Sequence, residues 1–300
     1  MRMSLSVSLF RPVGLLLATV CAGSALAAEA ADTPAVAPAA ATPVVPAATA
    51  AETTAPVEAV AAATAHEIEI GGSHAGLSDG SASWRDGYVK GTHGFGTQGT
   101  LAWELDAQRH FGEQGTLGSI AYTRDLTPDW YGSAGLSAGS ASYMPRVRTD
   151  LSVYRKWLER RQLVTGLGLM WSRSGDGVHH DRAATLSGSY YFADLPLVAQ
   201  TGVVVNTSSP GSVTTRRWFG AVTYGQARHY YLTLRHDVGH EGYLPAGQDA
   251  GRAFDFYSRV TTASWRQWIT PRMGFVVGGE HYVNPYYRRQ GVTAGLFADF

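Results

Sequence analysis

Residues 288–300 read RRQGVTAGLFADF, and the order of those side chains decides the architecture. Val292, Ala294, Leu296, Ala298 and Phe300 take every second place, with Thr293, Gly295, Phe297 and Asp299 between them. A β-strand turns successive side chains to opposite faces, so this stretch carries an oily row on one face. The same period of two recurs upstream. Leu101, Trp103, Leu105 and Ala107 alternate with Thr100, Ala102, Glu104, Asp106 and Gln108. Val147, Thr149, Leu151, Val153 and Trp157 oppose Arg148, Asp150, Ser152, Tyr154 and Lys156, although Arg155 breaks the apolar row. Leu163, Thr165, Leu167, Leu169 and Trp171 continue the code, and Tyr230, Leu232, Leu234 and Val238 oppose Tyr231, Thr233, Arg235 and Asp237.

The pattern predicts about fourteen strands, near 66–76, 83–94, 98–110, 113–125, 128–140, 147–158, 161–173, 181–192, 195–207, 213–226, 228–240, 252–267, 271–283 and 288–300; merging or splitting Gly-rich segments would give twelve or sixteen. Strands of soluble sandwiches usually run about 5 or 6 residues, whereas a tilted strand crossing a bilayer needs about 9 to 11. The lengths therefore favour a membrane. Lipid offers no partner to an open sheet edge, so a spanning sheet has to close. The expected fold is all-β, a transmembrane antiparallel up-and-down β-barrel. If the first strand rises from the periplasm, even-numbered connections should be tight turns and odd-numbered ones longer external loops, the longest being 241–251. An even strand count returns the C-terminus to the periplasmic side.

The rest of the composition fits. The chain has 300 residues, 35 of them glycine, beside 8 Trp, 15 Tyr and 10 Phe, and only 16% are charged. A formal net charge of +0 leaves no electrostatic footprint for nucleic acid, and beyond the N-terminus no apolar run is long enough for a spanning helix. Glycine relieves crowding on a curved sheet and lets an aromatic ring approach the backbone. Residues 1–27 read as a cleaved secretory signal peptide, with Arg2 and Arg11, an apolar run from Val13 to Val20, and small residues at Ala25-Leu26-Ala27. The one cysteine, Cys21, lies inside it. Residues 28–65 collapse to Ala, Pro, Thr and Val with no aromatic side chain, and are expected to form a disordered periplasmic tail ahead of a barrel at 66–300.

The closing strand, ending in the aromatic Phe300, resembles the C-terminal signature of outer-membrane β-barrel proteins, which implies recognition by the barrel-assembly machinery. Across 66–300 the chain also resembles the YaiO family of outer-membrane β-barrels. The resemblance rests on WRDGYVKGTHGF (Trp84 to Phe95), on Tyr143-Met144-Pro145-Arg146 leading into VRTDLSVYRKW, and on the Gly-rich LVTGLGLMWS that follows. It implies a barrel in the outer membrane of a Gram-negative cell, similar in plan to barrels that export polysaccharide, and it supplies no catalytic residues. Some of those exporters carry tetratricopeptide repeats ahead of the barrel; the Ala/Pro tail here has no 34-residue period.

On the polar faces the candidate lumen-lining residues are Glu104, Asp106, Arg148, Asp150, Tyr154, Tyr231, Arg235, Asp237, Asp255, Tyr257 and Arg259. Glu67, Glu69, Lys156, Arg217 and Glu280 are expected to join them. The three tyrosines would offer a sugar a stacking track, or simply fill the lumen. Trp130, Trp157, Trp171, Trp265 and Trp268 are read as an interfacial girdle. No histidine is followed two places later by serine, the motif of outer-membrane lipid hydrolases, so no enzyme activity is expected. His179-His180-Asp181 and His240-Glu241 are read as solvated loop residues, with no metal and no cofactor. The partners expected are outer-membrane lipid, the assembly machinery and a transported glycan or small solute. The expected function is a non-enzymatic, porin-like conduit for small hydrophilic solutes or an exported glycan; the alternatives are a closed structural or surface-interaction barrel and, third, a lipid hydrolase.

Overall fold

Fourteen antiparallel strands form one closed ring in a computed structural model that describes residues 66–249 and 253–300. The expected leader at 1–27 and tail at 28–65 lie outside the described residues. In chain order the strands are β1 (His66–Leu77), β2 (Trp84–Gly94), β3 (Thr100–His110), β4 (Glu113–Asp125), β5 (Trp130–Gly139), β6 (Pro145–Trp157) and β7 (Leu163–Ser174). There follow β8 (His180–Tyr191), β9 (Leu197–Ser209), β10 (Val213–Gln226), β11 (Tyr230–Tyr243), β12 (Phe254–Trp268), β13 (Met273–Val283) and β14 (Arg288–Asp299). Each pairs with its neighbour in sequence, and β1 pairs with β14, from Glu67 opposite Asp299 to Leu77 opposite Arg289. No edge is left open. At about 3.3 Å per residue and a tilt near 40°, strands of this length give a wall about 30 Å tall.

The two faces separate as the alternation predicts over most of the wall. Leu151, Leu169, Leu186, Leu234, Val292 and Leu296 are all exposed on the outside. Their strand neighbours Asp150, Ser152, Met170, Thr185, Arg235 and the buried Phe297 turn inward. Large apolar side chains on the exposed face are what a lipid solvent requires. Arg155, which interrupts one apolar row, has its guanidinium 3.6 Å from the Trp157 ring and 5.3 Å from that of Trp130, so its charge is set among amphipathic rings. Trp130, Trp157, Trp171 and Trp265 are exposed on the wall. Trp268 is not: it turns inward, donating from Nε1 to Asp299 at 2.8 Å.

The connections differ from expectation. The start of β1, the end of β14 and the turns at 95–99, 126–129, 158–162, 192–196, 227–229 and 269–272 lie at one end, here the terminal end. The opposite, loop end carries 78–83, 111–112, 140–144, 175–179, 210–212, 244–249 with 253, and 284–287. Most are as short as the terminal turns, because the strands run on to the rim, and only 244–253 is long. At 111–112 the chain reverses in two residues, Phe111 and Gly112, with φ of 53° and 78°; glycine meets the second of these without a Cβ penalty.

Glycine and aromatic residues are coupled by register. Gly71 faces Tyr88, Gly166 faces Tyr154, Gly202 faces Phe219, and Gly274 faces Phe297. In each pair a ring lies over the bare backbone, an arrangement that fixes register. A Cβ on Gly166 would fall 2.5 Å from Tyr154 ring carbons and 2.8 Å from Ser187 Oγ. Gly166→Ala is therefore expected to cost about 1–3 kcal/mol. Adding Tyr154→Ala should recover much of it, since the two effects share one space. Urea midpoints in detergent micelles would test this; an unchanged midpoint for the single variant would rule out the steric coupling.

Candidate functional site

The lumen is polar, and ion pairs divide it. On β6 the guanidinium of Arg148 donates to Asp150 through Nε (2.8 Å) and Nη2 (2.6 Å). Arg235 on β11 repeats the arrangement with Asp237, at 2.7 and 2.8 Å. Residues two apart on a strand share a face, so each Arg-x-Asp triplet builds a bidentate pair without help from another strand. Glu241 accepts from Ser258 Oγ at 2.6 Å and lies 3.6 Å from Arg217, and Arg289 donates to Glu280 at 2.6 Å.

These residues surround a cavity of about 250 Å³ against the β6–β13 side, toward the loop end. A second cavity of about 60 Å³ lies toward the terminal end, lined by Tyr131, Tyr154, Ser187, Ser189 and Gln200 among others. Both exceed the ~10–15 Å³ that one water needs. They share Ser152, Gly168, Thr185, Phe219 and Arg235, so the Arg235 guanidinium, 4.3 Å from the Phe219 ring, stands where the two volumes meet. The opposite side of the lumen is filled. There Arg266 reaches from β12 to Glu69 (Nη1 donating at 2.7 Å) and Glu67 (2.6 Å), and lies 3.5 Å from the Phe297 ring. Glu69, only 2% exposed, also accepts from Tyr88 OH at 2.9 Å and faces Lys90 Nζ at 3.2 Å.

Glu104 and Asp106 face inward from β3, yet among the described residues no Lys, Arg or His nitrogen lies within 4.0 Å of either carboxylate. Asp181, buried in the wall of the large cavity, accepts from Asn206 Nδ2 at 3.3 Å, and among the described residues no Lys, Arg or His nitrogen lies within 4.0 Å of its carboxylate. The lysines and arginines of the lumen are otherwise matched to acids, so these carboxylates leave it net negative.

Of the sequence-derived candidates, Glu104, Asp106, Arg148, Asp150, Tyr154, Tyr231, Arg235 and Asp237 turn inward; Tyr154 stacks on Tyr131 at 4.5 Å, and Tyr231 meets Trp268 edge-on at 5.7 Å. Asp255, Tyr257 and Arg259 do not. They are exposed on the outer wall and alternate with Phe256, Ser258 and Val260, which face in. Asp255 pairs there with His240 Nδ1 at 2.7 Å. The physical reason is depth: the first half of β12 rises toward the loop end, where the outer face is no longer in hydrocarbon and the inner face packs on a loop, Phe256 meeting Tyr286 at 5.3 Å. Phe300 is exposed at the terminal end, where its ring stacks on His66 of β1 at 5.6 Å and its N–H donates to the His66 carbonyl at 2.9 Å.

The mouth holds features that the alternation did not point to. The loop at 140–144 folds inward, burying Ala141 and Met144 against Leu117, with Gly115 and Gly139 leaving the space. His179 is buried rather than solvated: Nδ1 lies 2.5 Å from Asp176 and Nε2 2.8 Å from the Leu244 carbonyl.

A closed fourteen-stranded sheet with an apolar outer wall and an ionic interior defines the class: a transmembrane β-barrel. Residues 65–244 match the YaiO membrane beta barrel domain, and the chain belongs to that family. No curated protein matches it. Among solved structures it is similar to the loop L8 deletion mutant of OmpT, an outer membrane protein of Vibrio cholerae, at 8% identity and a TM-score of 0.48, covering 78% of this chain and 98% of that one. It is similar to Omp33 of Acinetobacter baumannii at 11% identity and a TM-score of 0.48, over 78% and 98% of the two chains. An anion-selective porin from Comamonas acidovorans gives 10% identity and 0.44, over the same shares.

Proposed function

We propose that this outer-membrane barrel is a non-enzymatic conduit for small hydrophilic solutes, with a preference for cations. The observation that carries the reading is the set of lumen carboxylates without a paired cation, Asp181 in the wall of the large cavity and Glu104 and Asp106 on the inner face of β3, in a lumen that also holds two cavities, of about 250 and 60 Å³, meeting at Arg235. Like charges on a low-dielectric wall raise the local concentration of counter-ions. A glycan track is less well supported, because Tyr257 stands outside and the remaining tyrosines are stacked on neighbours. On this reading the leader at 1–27 delivers the chain, the tail at 28–65 stays in the periplasm, and the exposed Phe300 ends the strand that the assembly machinery engages.

Purified protein in planar bilayers should show discrete conductance, with a reversal potential displaced toward the cation under a salt gradient. Glu104→Gln with Asp106→Asn should lower the cation-to-anion permeability ratio severalfold, up to about tenfold at low salt. A second reading, a closed surface barrel, is favoured by the inward-folded loop at 140–144. Electrical silence in both the parent and a variant with Met144→Ser would select it over the conduit.

A further inference from the structure

We propose that the outer wall at the loop end is a binding belt for phosphate groups of membrane lipid, selecting a lipid that carries phosphomonoesters over a zwitterionic one. The inference concerns the lipid-facing surface and stands whether or not the lumen conducts.

Both lysines, Lys90 and Lys156, face the lumen, while the outer face of the strands toward the loop end is furnished with arginine. On one side His74, Arg85 and Arg109 lie directly opposite one another across β1, β2 and β3. All three are exposed. Directly opposed side chains on neighbouring strands stand about 5 Å apart at Cβ, where like charges repel. Among the described residues no carboxylate lies within 4.0 Å of Arg85 or Arg109. An anion shared between the two guanidinium groups would remove the repulsion.

On the other side Arg173, Arg182 and Arg216 are exposed on β7, β8 and β10. Arg173 faces His180 and Arg182 faces Trp171, which makes the two arginines diagonal neighbours; Arg182 faces Thr207, whose hydroxyl is 3.1 Å from that of Thr214. Guanidinium forks beside hydroxyl groups are a donor set for tetrahedral phosphate oxygens. None of the three has a carboxylate within 4.0 Å among the described residues. The acid exposed on this part of the wall, Asp255, is occupied by His240.

The strands are different toward the terminal end. Their outward arginines there are Arg124 and Arg155, and Arg155 is set against two tryptophan rings; Arg160, Arg161, Arg228 and Arg272 are exposed in the turns beyond the strands, Arg161 beside Asp129 at 3.3 Å. The asymmetry fits a membrane whose two leaflets differ in phosphate content, with the richer leaflet at the loop end. Free phosphate would not account for sites spread round an apolar wall at one level, which places the lipid headgroup as the occupant.

The full-length protein in detergent would be titrated with lipid A, with lipid A stripped of both phosphates, and with phosphatidylethanolamine, bound lipid being counted by native mass spectrometry. Each arginine should contribute about fivefold. Phosphorylated lipid A should then bind at least tenfold more tightly than the other two, and Arg173→Gln/Arg182→Gln/Arg216→Gln should weaken it about a hundredfold. Arg85→Gln/Arg109→Gln should weaken it about 25-fold. Arg124→Gln/Arg155→Gln at the other end should leave it within about twofold. Heat-modified gel mobility confirms that each variant is folded, and Arg→Lys versions keep the charge should any glutamine variant not fold. Equal affinity for phosphorylated and stripped lipid A, equal loss in the terminal-end variant, or complete displacement by millimolar inorganic phosphate would overturn the proposal.

Discussion

Arg266→Met is expected to destabilise the barrel by about 3–5 kcal/mol, because it leaves two carboxylates facing one another without their shared cation. Arg266 is the point at which β12 is tied across the lumen to β1: it donates to Glu69 at 2.7 Å and closes on Glu67 at 2.6 Å, while its planar face covers Phe297. Glu69 is almost fully buried and keeps only Tyr88 and the half-exposed Lys90 once Arg266 is gone. Coulomb attraction between partly buried charges exceeds that of surface pairs, and a buried charge deprived of its partner pays the full desolvation cost. Removing the charges together should be much milder. Glu67→Gln/Glu69→Gln/Arg266→Met replaces the cluster with neutral groups of similar volume, and exchange of that kind is often near neutral. The measurement is a urea midpoint in micelles for the single and triple variants. A single variant within about 0.5 kcal/mol of the parent, or a triple variant worse than the single one, would mean that the cluster is not a cross-lumen tie.

Most of the barrel was legible because its solvent is simple. Hydrocarbon outside and water inside give each residue of Leu163–Ser174 or Arg288–Asp299 an unambiguous face, so a period of two fixes inward and outward at once. The code fails where that contrast ends. At Asp255, Tyr257 and Arg259 the outer wall has risen out of the apolar band, and polarity no longer distinguishes wall from lumen; of the apolar residues between and after them, Phe256 faces in and packs on the loop residue Tyr286, and Val260 faces the large cavity. Loop residues were legible least. Nothing local to Tyr143-Met144 says that the loop folds inward, since the space it fills is left by Gly115 and Gly139 on two different strands. The formal charge of +0 likewise gave no sign that acids are in excess within the lumen while arginines stand outside. That separation needs the three-dimensional assignment of faces, and each half of it has its own consequence, one for the ions that pass and one for the lipid that surrounds.

The mouth is expected to loosen as pH rises past neutrality, through His179. Its two ring nitrogens face two acceptors, the Asp176 carboxylate at 2.5 Å and the Leu244 carbonyl at 2.8 Å. A neutral imidazole has one N–H, so both bonds are made together only by the imidazolium. Burial alone would lower the pKa of His179, but the hydrogen bonds to Asp176 and Leu244 and the nearby charges of Asp176 and Asp181 raise it. Asp176 moves the other way: against burial, hydrogen bonds from His179 and Val178 hold its carboxyl below the ordinary value. The signs then follow. A raised histidine pKa gives stability that is complete below the unfolded value, about 6.5, and is lost as pH climbs through the folded value; a lowered aspartate pKa gives stability present above about 3.9 and lost on acidification. The link is therefore strongest between about pH 4 and 6.5 and fails on the alkaline side. What it ties matters for passage. Leu244 begins the longest loop, is buried against Gly211 in the 210–212 turn, and follows Tyr243, which lines the large cavity and meets the His179 ring edge-on at 5.9 Å. One imidazolium thus joins three neighbouring connections over the lumen. A hydrogen bond to a charged group contributes about 1.5–3 kcal/mol, which is a shift of about 10- to 100-fold in the equilibrium between tied and released loop. Hydrogen exchange at 245–249 should accelerate by that factor between about pH 5.5 and pH 9, after correction for intrinsic rates. His179→Leu should be fast at both values and show no residual pH step. A loop equally protected at both pH values in the parent, or a pH step that survives in His179→Leu, would show that another group controls the mouth.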